Sequence, residues 1–178
     1  MSNIYQIRIH ARAGQGAKSA AHFIAEAAFA ESKQVQAFPS YGPERTGAPM
    51  QAFVRLSDEP IRIHYGIAKP DTVIVIDPTL LENEDVTAGL KSDGFLIVNT
   101  PETSIDIDFS GQIITVDASG VATEILGKNL PNTAMIAAAA KAAGFVDLEK
   151  LKEITREFFT GKYNAEIGEK NVKIMDQV

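Results

Sequence analysis

A glycine-containing turn is the first part of the sequence whose residues could do chemistry. Residues 11–19 read Ala-Arg-Ala-Gly-Gln-Gly-Ala-Lys-Ser, and they lie between a segment typical of a strand and one typical of a helix. At such a junction the backbone N–H groups of the helix start point outward and favour an anion. Arg12 and Lys18 add two cations beside those N–H groups. The turn therefore predicts a site for a phosphate or a carboxylate.

The spacing of the glycines leaves several interpretations of this turn open. Gly14 and Gly16 fit a dinucleotide-binding fingerprint, but Ser19 replaces the third glycine and residues 35–38 offer no acid for a ribose. A P-loop fails at two positions, because Ala11 stands where its first glycine belongs and Ala17 where its lysine belongs. The glycines could also serve only a positive φ and close packing of the helix on the sheet. An anion site and a purely structural turn both remain possible.

A proline-rich segment, residues 38–49, is the second candidate. Its twelve residues read Phe-Pro-Ser-Tyr-Gly-Pro-Glu-Arg-Thr-Gly-Ala-Pro and contain three of the eight prolines. Because proline fixes φ and lacks an N–H, we expect a stiff loop that joins neither a helix nor a strand ladder. A stiff loop loses little entropy on binding. We therefore expect contact with a ligand or partner, the alternative being a surface loop with a solvated Glu44–Arg45 pair.

Several other functions are excluded by residue types that the sequence lacks or separates. It has no cysteine, which excludes disulfides, thiolate metal sites and iron–sulfur clusters held by this chain. His10, His22 and His64 are too scattered for a histidine metal motif. A formal net charge of −6 argues against nucleic acid and anionic membranes as partners. With no signal peptide and no membrane-length apolar stretch, we predict a cytoplasmic protein.

Apolar periodicity predicts the elements that position these segments. A strand at 4–10 and a helix at 17–31 flank the glycine turn. Further strands are predicted at 35–38, 50–56, 72–76, 95–98 and 113–116, with 61–65 extending the region of 50–56 as a hairpin. Helices are predicted at 78–81, 118–126, 132–143, 147–159 and 165–175, with Asn132 and Asp147 as N-caps and Gly144 as a stop.

The order of these elements predicts the fold class. Asp77 and Asp117 end predicted strands and precede predicted helices, as in the βα units of a parallel sheet. We expect an α/β fold: a three-layer sandwich with a mostly parallel, mixed central sheet and a helical C-terminal third. A length of 178 residues suits one domain over 1–178.

Taken in order, the segments resemble a known family. The stretches that carry the resemblance are residues 12–17, 37–49, 52–55, 58–62, 71–78, 94–100 and 131–135. Together they resemble the gamma subunits of 2-oxoacid:ferredoxin oxidoreductases, of which the pyruvate enzyme, pyruvate synthase, is the commonest member. The resemblance covers nearly the whole chain, and its Gly-Pro-Glu-Arg loop is specific.

The resemblance implies a function within a complex. Such an enzyme decarboxylates a 2-oxoacid, reduces ferredoxin and transfers the acyl group to coenzyme A. It implies alpha, beta and delta partner subunits, with thiamine diphosphate between alpha and beta and the [4Fe–4S] clusters in beta and delta. This chain would hold none of these cofactors, supply no catalytic residue and be inactive alone.

The resemblance also implies that both loops lie near the coenzyme A cleft. The residues expected there are Arg12, Gly14, Gln15, Gly16, Lys18, Ser19, Tyr41, Gly42, Pro43, Glu44 and Arg45. The family's turn usually reads Gly-Arg-Gly-Gly-Gln-Gly, and we expect the methyl groups of Ala11 and Ala13 to crowd a ligand there. From the residues alone, the alternatives are a free-standing phosphate- or nucleotide-binding module and a structural scaffold.

Overall fold

A mixed six-stranded sheet runs through the computed structural model, which describes residues 4–41 and 47–178. The elements in chain order are β1 (Tyr5–Arg12), α1 (Ala17–Ala30), β2 (Gln34–Tyr41), β3 (Pro49–Ser57), β4 (Thr72–Val75), a 3-10 helix (Pro78–Glu82), β5 (Phe95–Asn99), β6 (Gln112–Val116), α2 (Ala118–Leu126), α3 (Asn132–Ala143), α4 (Leu148–Lys162) and α5 (Ala165–Asp176). The strand order is β2-β3-β1-β4-β5-β6, and β3 runs antiparallel to both of its neighbours. The remaining neighbours pair in parallel, which confirms the predicted mixed sheet.

The helices pack on one face of this sheet. Ile7, Ile9 and Ala11 alternate along β1 and enter the same apolar cluster as the buried residues of all five helices. Helix α3 lies at the centre of this layer, in contact with β4, β5 and the other four helices. Its first nine residues are buried on every side, so its alanines serve close packing, as a helix without a polar face must.

The opposite face of the sheet is covered by segments without α-helix. Val73 and Val75 of β4 form a second apolar cluster with Val86 and with side chains from the segment that precedes β6, including Ile105 and Ile107. The predicted three-layer α/β sandwich is confirmed, with helices in one outer layer and the 3-10 helix and extended segments in the other. We call this second surface of the sheet the loop face.

The prediction that the proline-rich segment joins no ladder is wrong at both of its described ends. Pro39 pairs with Ala52 and Tyr41 with Met50 in the β2–β3 ladder, and Pro49 begins β3. The physical reason is position, since β2 is an edge strand and Pro49 is a first residue. Proline is tolerated at both kinds of position.

The hairpin predicted around residues 61–65 is also wrong. This segment is irregular and belongs to no strand. Its carbonyl groups accept hydrogen bonds from strand side chains instead: Gln36 Nε2 donates to Ile63 O at 2.8 Å, and Arg55 Nη2 donates to Tyr65 O at 2.6 Å. Hydrogen bonds from side chains on the loop face therefore hold this segment, in place of the backbone hydrogen bonds of a hairpin.

The helix boundaries follow the predicted stop signals with one exception. Gly144 ends α3 in the left-handed conformation, and the Asp147 side chain caps α4, as predicted. Asn132 is not a cap, because Pro131 holds that position and Asn132 is the first helical residue. Its buried side chain lies against Gly16 instead. Within residues 4–41 and 47–178, no helix has both the length and the apolar character needed to cross a bilayer.

Candidate functional site

The candidate site lies where parallel strands β1, β4 and β5 reach their carboxyl ends at one edge of the sheet. The glycine turn leaves β1 at this edge and enters α1. Strand β3 starts here too, because Pro49 pairs with Arg12. In open α/β sheets, ligands bind outside the carboxyl ends of the strands. The fold therefore brings the glycine turn to an edge of the sheet that commonly binds ligands.

Asp77, just beyond β4, ties the glycine turn to the 3-10 helix. Its Oδ2 accepts a hydrogen bond from Gln15 Nε2 at 2.6 Å and lies 3.5 Å from Arg12 Nε. Its Oδ1 accepts hydrogen bonds from the backbone N–H and the hydroxyl of Thr79, at 3.0 and 2.6 Å. Arg12 Nη2 donates to Thr79 Oγ1 at 2.9 Å, and Gln15 Oε1 accepts from the Arg12 N–H at 2.8 Å. One carboxylate thus fixes both the cation and the turn.

The electrostatics of this network keep Asp77 ionised. Burial alone would raise the pKa of Asp77, but hydrogen bonds from Thr79 and Gln15, with the charge of Arg12, outweigh burial and lower the pKa. Arg12 therefore belongs to an internal ion pair, although its side chain is 31% exposed. Contact of Arg12 with an external anion stays a prediction.

The two glycines of the turn adopt positive φ angles, 104° at Gly14 and 84° at Gly16. A Cβ on Gly16 would lie 2.7 Å from Asn132 Nδ2, whereas a Cβ on Gly14 would meet no described atom within 4 Å. The conformational interpretation of these glycines is therefore confirmed. No described residue accepts a hydrogen bond from the N–H of Gly14 or Gly16, or from the first three residues of α1, whereas Ala20 N donates to Gly16 O at 2.9 Å. Those N–H groups leave anion binding possible.

The expectation about the alanines of the turn is wrong for Ala11. This residue still belongs to β1, and its methyl group is buried in the helix-side cluster. A methyl group buried in this cluster cannot crowd a ligand at the surface. Ala13 contributes through its backbone: its N–H donates to Ala48 O at 2.9 Å, and its carbonyl accepts from Gly47 N at 3.2 Å.

These two bonds also bring the far end of the proline-rich segment to the glycine turn. Arg12 Nη1 adds a hydrogen bond to Gly47 O at 3.3 Å. Tyr41 ends β2 opposite Met50, near the start of β3. Both described ends of the segment therefore lie at the edge that holds the turn. The predicted residues Gly42, Pro43, Glu44 and Arg45 lie outside the described residues.

Lys18 and Ser19 lie in the first turn of α1. Lys18 is the second residue of the helix and is exposed at its N-terminal turn. Ser19 follows it, and neither side chain caps the helix, since Gly16 holds the cap position. The structure therefore brings Arg12, Gly14, Gln15, Gly16, Lys18 and Ser19 into one turn, as predicted.

Sequence reasoning missed a buried basic pair on the loop face. Arg8 is buried and donates to the carbonyls of Ile67, Val86 and Ala88 at 3.3, 3.0 and 2.8 Å. Its Nε donates to His10 Nε2 at 3.0 Å. Burial and the nearby Arg8 charge lower the pKa of His10 to about 4, so its ring is neutral at neutral pH. Strand alternation alone could have placed both side chains opposite Ile7 and Ile9.

Polar residues at the other strand ends were missed as well. Asn99, at the end of β5, donates from Nδ2 to Ile76 O at 2.8 Å and to Ser119 Oγ at 2.9 Å. Its Oδ1 accepts from the Ser119 N–H at 3.1 Å. The position of Asn99 at the end of an apolar strand run was a usable signal in the sequence. Its hydrogen bonds connect neighbouring βα units and make the edge rigid.

Taken together, these contacts fix the backbone at this edge and leave N–H groups of the turn available to an anion. Within the described ranges, no three His, Asp or Glu side chains gather as metal ligands would. The polar side chains at the turn are engaged in positioning the turn itself. The chemistry on offer is recognition by N–H groups and flanking cations.

Comparisons with known proteins agree with this architecture. Residues 6–178 match the model of the pyruvate ferredoxin/flavodoxin oxidoreductase family. The pyruvate/ketoisovalerate oxidoreductases common subunit gamma of Thermococcus kodakarensis is 49% identical over 177 residues, covering 97% of this chain and 94% of the relative. The pyruvate synthase subunit PorC of Methanocaldococcus jannaschii is 45% identical over 168 residues, covering 94% of this chain and 91% of the relative.

A solved structure shows the same fold. The crystal structure of the pyruvate oxidoreductase subunit PORC of Thermotoga maritima matches with a TM-score of 0.85 at 40% identity, covering 98% of this chain and 94% of that one. The resemblance seen in the sequence motifs is therefore confirmed. This chain belongs to the pyruvate ferredoxin/flavodoxin oxidoreductase family and is a gamma-type subunit of such a multisubunit oxidoreductase.

Proposed function

We propose that this subunit presents its two loops to coenzyme A in an enzyme that oxidises pyruvate. The overall reaction would convert pyruvate, coenzyme A and oxidised ferredoxin to acetyl-coenzyme A, CO2 and reduced ferredoxin. Support for pyruvate comes from relatives between 43% and 49% identical, all named for pyruvate enzymes. Substrate recognition by this chain is no part of the proposal.

The names of the relatives support a division of labour between subunits. Relatives from Thermococcus and Pyrococcus are called a common subunit of pyruvate and ketoisovalerate oxidoreductases. A gamma chain that is shared by enzymes for two different 2-oxoacids does not by itself determine which substrate side chain each enzyme accepts. Choice of the 2-oxoacid would therefore lie in other subunits, while coenzyme A is common to both reactions.

Cofactor chemistry would also lie in other subunits. Because the chain has no cysteine, [4Fe–4S] clusters require thiolates from elsewhere, which fits beta and delta partners. Thiamine diphosphate would lie between alpha and beta partners. Ferredoxin would then exchange electrons with those cluster-bearing chains.

One observation supports the coenzyme A role above the others: the turn is held rigidly while its N–H groups remain open. Asp77, Gln15 and Arg12 fix the turn through short hydrogen bonds. The phosphates of coenzyme A are the anions that such N–H groups suit. Lys18 stands exposed beside them. A rigid turn pays little entropy on binding, which favours ligand recognition over mere connection.

The test uses the assembled oxidoreductase with single substitutions in this subunit. Lys18→Ala and Arg45→Ala should each raise the KM for coenzyme A roughly three- to tenfold, because each removes a cation near the phosphates. The KM for pyruvate should not change. Lys173→Ala removes an exposed cation from the last turn of α5 and serves as the matched control.

Two results would contradict the proposal. Unchanged coenzyme A kinetics in both variants, with intact assembly, would remove the loops from coenzyme A binding. If Arg45 pairs with Glu44 at a subunit contact, Arg45→Ala would instead loosen the complex. Size-exclusion chromatography of the complex detects that loss of association.

A further inference from the structure

An apolar cavity of about 190 Å³ lies beside the glycine turn on the helical side of the molecule. It forms where α2 ends and α3 begins, with walls from α4 and α5. The apolar residues that line it are Leu126, Leu130, Phe159, Tyr163 and Ile167. Leu130 and Tyr163 stay largely exposed at its mouth. Apolar cavities with a few polar groups are the usual form of small-molecule sites.

Two buried amides line the same cavity, and they differ in how well they are satisfied. Asn171 is fully engaged: Oδ1 accepts from Thr133 Oγ1 at 3.2 Å, and Nδ2 donates to Ile167 O at 2.9 Å. Asn132 is 7% exposed, yet its Nδ2 makes one long contact of 3.5 Å to Gly16 O. Its Oδ1 accepts no hydrogen bond from any described residue. Every fully buried side-chain N or O atom of the described residues has a hydrogen-bond partner, so the open Oδ1 of Asn132 faces accessible space and is available to a ligand.

Phe159 and Tyr163, which we call the aromatic wall, and the lysines near them indicate which class of ligand the cavity would bind. Phe159 and Tyr163 lie nearly parallel, with ring centroids 6.2 Å apart and an angle of 16°. Lys162 Nζ lies 5.4 Å from the Tyr163 centroid, and Lys128 lines the cavity. Within the described parts of the chain, neither lysine forms an ion pair. Parallel aromatic rings with nearby cations suit a phosphorylated ligand that carries an aromatic ring.

We propose that this cavity binds the purine base of a nucleotide. The inference rests on the proposed function, since the base would be the adenine of coenzyme A. An asparagine amide pairs with the amino group and ring nitrogen of adenine. The aromatic wall stacks on a base, as in other nucleotide sites. Because Asn132 lies against Gly16, the base and the phosphates of one ligand reach the cavity and the turn together.

The experiment measures nucleotide binding in the assembled oxidoreductase. Adenosine 3′,5′-bisphosphate carries the base of coenzyme A without its thiol arm, so it serves as a competitive inhibitor against coenzyme A. Tyr163→Ala should raise its inhibition constant and the KM for coenzyme A roughly tenfold, through lost stacking. Lys128→Ala should raise both roughly threefold, through a lost phosphate contact. The KM for 4′-phosphopantetheine, which lacks the base, should not change with Tyr163→Ala.

A matched control is available in Phe29→Ala. Phe29 is 66% exposed on α1, close to the 59% of Tyr163, and it does not line the cavity. Its substitution should leave all three constants unchanged. Both cavity variants alter exposed side chains, so loss of the fold is not expected.

The outcomes separate this inference from the proposed function. If Lys18→Ala raises the KM for coenzyme A but Tyr163→Ala leaves both constants unchanged, the purine site is wrong and the proposed function stands. If neither variant alters coenzyme A kinetics, both are wrong. Loss of the Tyr163→Ala subunit from the complex, seen by size exclusion, would assign the cavity mouth to a subunit interface and overturn the purine site.

Discussion

The two faces of the sheet are stabilised by different interactions. On the helix side, buried apolar residues such as Ile7, Ile9 and Ile74 pack against alanine-rich helices. On the loop face, Arg8 and Arg55 are buried and hold irregular segments by donating to their carbonyls. Apolar packing depends little on pH, whereas buried cations and a neutral histidine make the loop face sensitive to single substitutions and to acid.

The largest expected effect tests this contrast at Arg55. It donates to the side-chain oxygens of Gln6 and Gln36 and to the carbonyls of Tyr65 and Gly66. Arg55→Met would leave these acceptors unpaired, so the free energy of unfolding should fall by about 3–5 kcal/mol. Urea unfolding of the subunit measures this change.

Ile97→Val on the helix side is the control for Arg55→Met. Its expected loss is about 1 kcal/mol, since it removes one buried methyl group. Amide exchange across residues 61–66 should rise in Arg55→Met but not in Ile97→Val. Equal losses in the two variants would show that the two faces do not differ as described.

The second effect is acid destabilisation through His10. Folding lowers the pKa of this histidine from 6.5 to about 4, so the unfolded chain binds more protons between these values. Stability should therefore be fully present above pH 6.5 and fall by about 3 kcal/mol as the pH drops to 4. His10→Gln keeps an acceptor for Arg8 but cannot titrate, so its loss over this interval should be smaller. Urea unfolding at pH 7, 5.5 and 4 compares the two proteins.

The third effect concerns two substitutions in the glycine turn, Gly16→Ala and Gly14→Ala. Gly16→Ala should lower the free energy of unfolding by about 2–3 kcal/mol, because it adds backbone strain and a contact with Asn132. Gly14→Ala adds strain alone and should cost about 1–2 kcal/mol. Thermal unfolding of the two variants isolates the contact with Asn132. A larger loss in Gly14→Ala would show that this contact yields easily.

The smallest effect concerns Asp77 below pH 4. Its pKa is lowered in the folded state, so its stabilisation is present above the unfolded pKa and disappears as the pH falls through the folded one. Asp77→Asn should cost about 1 kcal/mol at pH 7, because the bonds to Gln15 and Thr79 weaken. The difference from wild type should shrink as the pH falls through the lowered pKa of Asp77 in acid unfolding. A difference that stays constant with pH would mean that charge is unimportant in the network.

The helix side of the fold could be predicted because its rules are local. Apolar spacing and stop signals located α2, α3 and α5 to within a residue or so, and α1 equally well. The loop face could not be predicted in this way. A charged residue in a strand normally marks an exposed face, so Arg8 and Arg55 gave no hint that distant carbonyls would bury them.

The candidate site was predictable in part. The turn from Arg12 to Ser19 follows from its glycines and its place between strand and helix. Asp77 indicated a helix cap, which the structure confirms, but not its bond to Gln15, which joins residues far apart in the chain. Asn132 as a neighbour of Gly16 depends on packing of α3 against α1. The roles of Glu44 and Arg45 remain predictions.

Helix α3 is narrow because most of its buried side chains are the methyl groups of alanines. Its alanines let the sheet and the outer helices approach closely, and its first residue, Asn132, stands between the glycine turn and the aromatic wall of Phe159 and Tyr163. The helix is thus a spacer that sets the gap between the two proposed binding surfaces. Larger side chains along its length would widen the gap and separate those surfaces, even with every contacting group intact.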